Sequence, residues 1–134
     1  MSAWLLDTTA ILAHFRQEAG AEAVQTILGD ASASVHISSL SITELARRLR
    51  ALGADAAEAR ATALEYAGLV SSVVHVDVSV AIRAFEIGEL SSSRLPVIDA
   101  LIAASASILG ATLLHCDAHF ESLTSDILTQ QAIR

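Results

Sequence analysis

The chain has 134 residues, 53% of them hydrophobic, enough for one compact domain with a substantial core and too few for two ordinary ones. A formal net charge of −7, from 15 acidic and 8 basic residues, argues against holding nucleic acid on a broad basic surface; every basic residue is an arginine, so chemistry that needs a lysine is excluded. Apolar runs fall short of the roughly 18 residues of a membrane span, MSAWLLDTTA shows no basic region followed by a long apolar one as a secretory signal would, and Cys116 is the only cysteine, so a soluble cytoplasmic protein with no internal disulfide or multi-cysteine zinc site is expected.

In chain order, AWLL at 3–6 is an apolar run too brief for a helix, and the Asp-Thr-Thr behind it offers caps for a helix through AILAHF. A second helix falls near 20–29. SVHIS at 34–38 has strand character. Ser39 or Ser41 can cap the helix that follows, where Ile42, Leu45, Ala46, Leu49 and Leu52 recur at helical spacing and Glu44 lies at the margin of their face. An Ala-rich helix is predicted from about 54 to 70, a third strand at 72–76, and then a helix capped by Asp77 or Ser79 that carries Ile82 and Phe85. Pro96, the only proline, suits the first turn of a helix in which Ile98, Leu101, Ile102, Ser105 and Leu109 follow at helical spacing, ended by Gly110. Asp99 therefore sits in the first turn of an apolar helix. ATLLH at 111–115 is a fourth strand, 117–124 a short helix, and DIL at 126–128 a last, short edge strand. The alternation predicts one α/β domain over residues 1–134, with a central, mostly parallel sheet of four to five short strands flanked by helices. Sites in such sheets form at the carboxyl ends of strands, where Asp7 and Asp117 both stand.

Four carboxylates draw attention: Asp7, Glu44, Asp99 and Asp117. Each has an ordinary structural role open to it. Asp7 and Asp99 suit helix starts, Glu44 can pair with Arg48 one turn on, and Asp117 can open its own short helix. Gathered at one end of a sheet they would repel, a condition that a divalent cation relieves. Oxygen ligands of this kind suit magnesium or manganese, which would bind phosphate oxygens and activate a water for in-line attack on phosphorus.

The segments LLDTTAILA, SSLSITELARR, VIDALIAASA and LLHCDAHFESL, in this order and spanning nearly the full chain, resemble the PIN-domain ribonucleases, and specifically the VapC-like toxins of type II toxin-antitoxin modules. The resemblance implies a three-layer PIN fold and a magnesium-dependent endoribonuclease, with manganese as the alternative metal. Residue by residue it puts Asp7, Glu44, Asp99 and Asp117 on the family's acidic quartet as catalytic and metal-binding groups, Thr8 on the hydroxyl position beside the first aspartate, and His119 on an accessory position. It further implies an RNA substrate, a homodimer, and a neutralising antitoxin whose C-terminal segment lies across the helices near the site, AILAHF and the helix at 20–29 forming part of the groove. Two features depart from the family pattern. His115 stands where Ser or Thr is usual, and without lysine the substrate phosphates fall to arginines such as Arg16, Arg47, Arg48 or Arg94.

Competing readings are a catalytically inert PIN-like interaction module and a Cys/His hydrolase using Cys116 with His115 or His119. Side chains adjacent on a strand point to opposite faces, which places His115 poorly as a base for Cys116. Receiver domains and haloacid-dehalogenase-like phosphatases, which share the order of elements, need a lysine. Cys116 is expected to pack as a small hydrophobe, and His14, His36 and His75 to be half-buried structural residues.

Overall fold

The computed structural model describes residues 2–133. Strand β1 (Ser2–Leu6) ends on two leucines with no exposed surface, pointing to opposite faces as strand geometry requires. Asp7, in extended conformation, then caps α1 (Thr8–Arg16), its side chain accepting the Ala10 N–H. Gln17 ends that helix in the left-handed region at φ 54°, and Gly20, at φ 95°, opens α2 (Ala21–Gly29). There follow β2 (Ala33–Ser38), α3 (Ser39–Ala51), α4 (Ala56–Leu69), β3 (Ser72–Val74), α5 (Val78–Leu90), α6 (Val97–Leu109) and β4 (Thr112–His115). A short 3-10 helix (Ala118–Ser122) and β5 (Gln130–Ala132) complete the chain.

All five strands pair in parallel, in the order β3-β2-β1-β4-β5. The chain builds outward from β1 to one side, then crosses back to lay β4 on the other, so the order reverses between β1 and β4. A crevice at the carboxyl ends of those two strands is the usual consequence.

Alternation along the strands divides the core. Leu5 and Leu113 face α5, α6 and Phe120, whereas Leu6, Val35, Ile37 and Leu114 face α1 to α4. Burial of each such leucine stabilises by roughly 1.5–3 kcal/mol. Trp4 is half-buried against the second of these clusters. No helix among the described residues is long and apolar enough to cross a membrane.

Several expectations need correction. Ser38, not Ser39 or Ser41, caps α3: the strand runs directly into the helix, and the Ser38 hydroxyl accepts the Leu40 N–H at 3.1 Å. Ser41 is instead buried one turn inside the helix. Pro96 stands at the cap position and α6 starts at Val97, though Asp99 keeps its place in the first turn. The edge strand is at 130–132 instead of 126–128. Ile127 and Leu128 are apolar because they pack into the core from a turn, their N–H groups donating to Thr124 O. β5 is legible only from its partner, through Leu113 N–H to Thr129 O and Ile133 N–H to His115 O.

Candidate functional site

Asp7 is fixed by backbone and side-chain hydrogen bonds. Its N–H donates to Leu114 O at 3.1 Å, which ties the end of β1 to β4. Its carboxylate accepts the Ala10 N–H at 2.9 Å and the Thr9 hydroxyl at 2.7 and 2.8 Å. The Thr9 oxygen in turn accepts the Cys116 N–H at 2.9 Å, so one hydroxyl joins Asp7 to the loop that carries Asp117. Asp7 is 2% exposed. Burial raises its pKa to about 7; the hydrogen bonds from Thr9 and Ala10 oppose the shift, and the charges of Asp117 and Asp99 add to it.

Asp99 projects from the first turn of α6 toward the same place. Burial and then the neighbouring Asp117 raise its pKa, the His119 hydrogen bond lowers it, and the Glu44 charge raises it further. His119 Nδ1 lies between the two aspartates, 2.9 Å from Asp99 Oδ2 and 3.2 Å from Asp117 Oδ1. One ligand atom from each of Asp99, Asp117 and His119 falls within 4.8 Å of the others. Asp117 also caps the 3-10 helix, accepting the His119 N–H at 2.9 Å.

Glu44, half-buried on α3, makes no ion pair with Arg48 among the described residues. Its Oε1 accepts the Thr8 hydroxyl at 2.7 Å, and Thr8 Oγ1 is also 3.0 Å from the buried Ser41 hydroxyl. The first turn of α1 thus presents Thr8 to Glu44 and Thr9 to Asp7. Asp7 feels the charges of Asp117 and Asp99, and Asp99 that of Glu44, so the four carboxylates share one end of the sheet; only Asp99 and Asp117, with His119, stand within ligand distance of one another among the described residues. Thr9 and Ser41, expected only as helix caps, instead belong to the site; a second hydroxyl after an Asp, and a serine inside an apolar helix face, are the signals that the sequence offers for them.

His115 is 1% exposed and both ring nitrogens are engaged, Nδ1 with the Asp117 N–H at 3.1 Å and Nε2 with Gln130 Oε1 at 2.8 Å. Cys116 is exposed, contrary to the packing expected of it. Of the two imidazoles near it, His115 has both ring nitrogens engaged and His119 turns Nδ1 to Asp99 and Asp117, so neither geometry favours a Cys/His hydrolase. His14 bonds Tyr66 and Gln25, and His36 bonds Ser72, as half-buried structural residues; His75, beyond the end of β3, is exposed.

Of the arginines considered for phosphate contacts, Arg47 and Arg48 line a cavity of about 370 Å³ with Glu44 and Ile98. Arg16 forms an exposed pair with Glu18 at 3.6 Å, and Arg94 is exposed. A larger groove, about 470 Å³, runs between α3 and α4; its floor is apolar, from Ile42, Ala46, Ala59 and Ala63, and Arg47, Arg50 and Arg60 line it. The pocket beside α2, lined by Gln17, Ala21, Glu22, Gln25 and Thr26, is polar.

Hard oxygen donors from two aspartates, a third aspartate buried with a raised pKa, and one imidazole nitrogen make a donor set that fits a divalent cation. An α/β domain with an acidic cluster at its strand-order reversal is the class that fold and site define. The sequence profile of the PIN domain family matches residues 4–125, and the chain belongs to that family. No curated protein matches it significantly in sequence. Among solved structures it is similar to VapBC2 from Rickettsia felis, bound to a DNA fragment of the promoter, with a TM-score of 0.77 at 14% identity over 98% of this chain and 99% of that one. VapBC-1 from nontypeable Haemophilus influenzae gives 0.75 at 15% identity over 97% of both chains. VapBC-5 from Mycobacterium tuberculosis, a member of the VapBC family of toxin-antitoxin systems, gives 0.66 at 21% identity over 100% of this chain and 99% of that one. At these identities the likeness speaks to the fold.

Proposed function

We propose that the protein is a divalent-metal-dependent endoribonuclease, the toxin of a toxin-antitoxin pair. The observation that carries this reading is the convergence of Asp99, Asp117 and His119 within one ligand-sized cluster beside the buried Asp7. Asp7, Asp99 and Asp117 would hold magnesium or manganese, which when bound supplies charge stabilisation at the phosphate and a more acidic water. Glu44, oriented by Thr8, would accept the proton of the attacking water or hold a metal-bound one. Thr9 keeps the Asp7 oxygens aimed, and Arg47 and Arg48, lining the cavity beside Glu44, suit the RNA backbone. His119 would add a nitrogen donor or contact RNA.

The partner reading draws on the same surface and on the toxin-antitoxin complexes among the structural neighbours. An antitoxin segment with apolar residues for the α3–α4 groove and carboxylates for Arg47, Arg50 and Arg60 would lie beside Glu44 and bring a cation to the acidic cluster. This adds α3 and α4 to the groove expected along α1 and α2. Homodimerisation is supported by α5, where Val78, Ile82 and Phe85 expose one apolar face and Val97 stands exposed beside Phe85.

Incubation of the purified protein with structured and single-stranded RNA in Mg2+ or Mn2+ tests the activity. Cleavage is expected for wild type, with chelator, Asp7→Asn and Asp99→Asn each lowering the rate at least ~100-fold. Wild-type rates in both variants would sink the reading. No cleavage of any RNA by the wild type would favour the inert module.

A further inference from the structure

We propose that His115 and Gln130 are positioning residues that hold Asp117 in the acidic cluster; this rests on the reading of Asp117 as a metal ligand. The Asp117 N–H can only donate, so His115 Nδ1, 3.1 Å away, accepts and carries no proton. The ring proton is then on Nε2, which donates to Gln130 Oε1 at 2.8 Å. The Gln130 amide spends its two hydrogens on Phe120 O at 2.8 Å and Leu123 O at 2.9 Å. One side chain from edge strand β5 thus joins the end of β4 to both the 3-10 helix and the residue after it. The Phe120 ring, 4.9 Å from the imidazole, closes the unit on its apolar side.

Every polar atom of the buried imidazole is used, so it acts through Asp117 and not as a ligand or base. The chain contains a smaller version of the same device. At the end of β2, Ser38 Oγ accepts the N–H two residues on at 3.1 Å, the distance seen from Asp117 to His115. A hydroxyl at position 115 would satisfy the Asp117 N–H in that way but would not reach Gln130. The imidazole spans both, and so couples the direction of the Asp117 carboxylate to β5.

Mn2+ affinity measured by titration calorimetry without RNA, together with melting temperature in chelator, tests this on His115→Ser, His115→Ala, Gln130→Met and Asp117→Asn. Both His115 variants lose the ring packing and should melt lower by similar amounts. Mn2+ affinity should separate them: His115→Ala, which leaves the Asp117 N–H without an acceptor, weaker by roughly 10-fold or more, and His115→Ser and Gln130→Met, which each keep that acceptor but lose the link to β5, weaker by a smaller and similar factor of about 3-fold. Equal affinities for the Ser and Ala variants mean a packing role only and overturn the proposal. If His115→Ala does not fold, wild-type affinity in Gln130→Met overturns it equally. Asp117→Asn separates the two levels: should it bind Mn2+ like wild type, the ligand reading fails and the proposal with it, whereas lost binding there beside wild-type affinity in His115→Ala and Gln130→Met refutes the positioning role alone.

Discussion

Asp7 is pulled in two directions. As a helix cap it accepts hydrogen bonds that favour its charged form, while burial and the neighbouring Asp117 and Asp99 favour the acid and prevail, at a pKa of about 7. An unfolded aspartate releases its proton near 3.8, so between about 4 and about 7 the native state binds more protons than the unfolded chain. This contribution to stability is full below about 4 and is lost as pH rises through 7. Calorimetry in chelator should therefore find wild type losing several degrees more than Asp7→Asn over that interval, each kcal/mol being worth roughly 3–6 °C in a domain of this size. A cation needs the charged carboxylate, so Mn2+ should stabilise the wild type more at pH 7.5 than at pH 5. His119 brings a softer donor than the aspartates, which favours manganese over magnesium. His119→Ala should narrow the Mn2+ to Mg2+ affinity ratio severalfold in competition titrations. The quartet was legible in the sequence because each carboxylate stands beside an apolar element or inside one. Thr9 was not, because its link to Cys116 depends on two segments more than 100 residues apart meeting at the β1–β4 junction.

The elements were read where apolar periodicity alone defines them and missed where tertiary pairing does. β1, β2, β4 and α6 carry their own signal in AWLL, SVHIS, ATLLH and VIDALIAASA. Gln130, Gln131 and Ala132 do not, since a short edge strand needs little beyond backbone pairing with β4, and DIL drew the assignment because buried turn residues are as apolar as strand residues. That error also hid Gln130, and with it the partner of His115. Caps were ambiguous for a related reason: three serines within four residues can each cap α3, and only the exact strand end selects Ser38. The junction before α2 makes a sharper prediction. Gly20 sits at φ 95°, and a Cβ there would come within 3.1 Å of the Ile133 side chain behind it. Gly20→Ala should destabilise by about 1–3 kcal/mol in urea unfolding while leaving Mn2+ affinity unchanged.

At the scale of the molecule, the order β3-β2-β1-β4-β5 brings residues 7, 44, 99 and 117 together from separate segments. A parallel sheet puts all its strand ends on one edge, and the reversal at β1 leaves room there for side chains from α3 and α6. Fold class was legible from the alternation of strands and helices; strand order was not, because it depends on which crossovers the helices make. The same topology leaves α5 with an apolar outer face, and Phe85, 67% exposed, is its largest side chain. On the proposed homodimer reading, Phe85→Asp should sediment as a monomer where wild type sediments as a dimer, with little change in melting temperature, since the residue is outside the monomer core. One divalent ion would take the formal charge from −7 to −5, which eases the repulsion of the proposed RNA substrate. Metal-dependent hydrolysis is tested most directly by cleaving RNA in 18O-labelled water with Mn2+ and analysing the new ends by mass spectrometry. Water-driven hydrolysis at the acidic cluster predicts linear terminal phosphates carrying solvent oxygen, formed by wild type and lost in Asp99→Asn. Cyclic 2′,3′-phosphates formed equally by both proteins in chelator would contradict it.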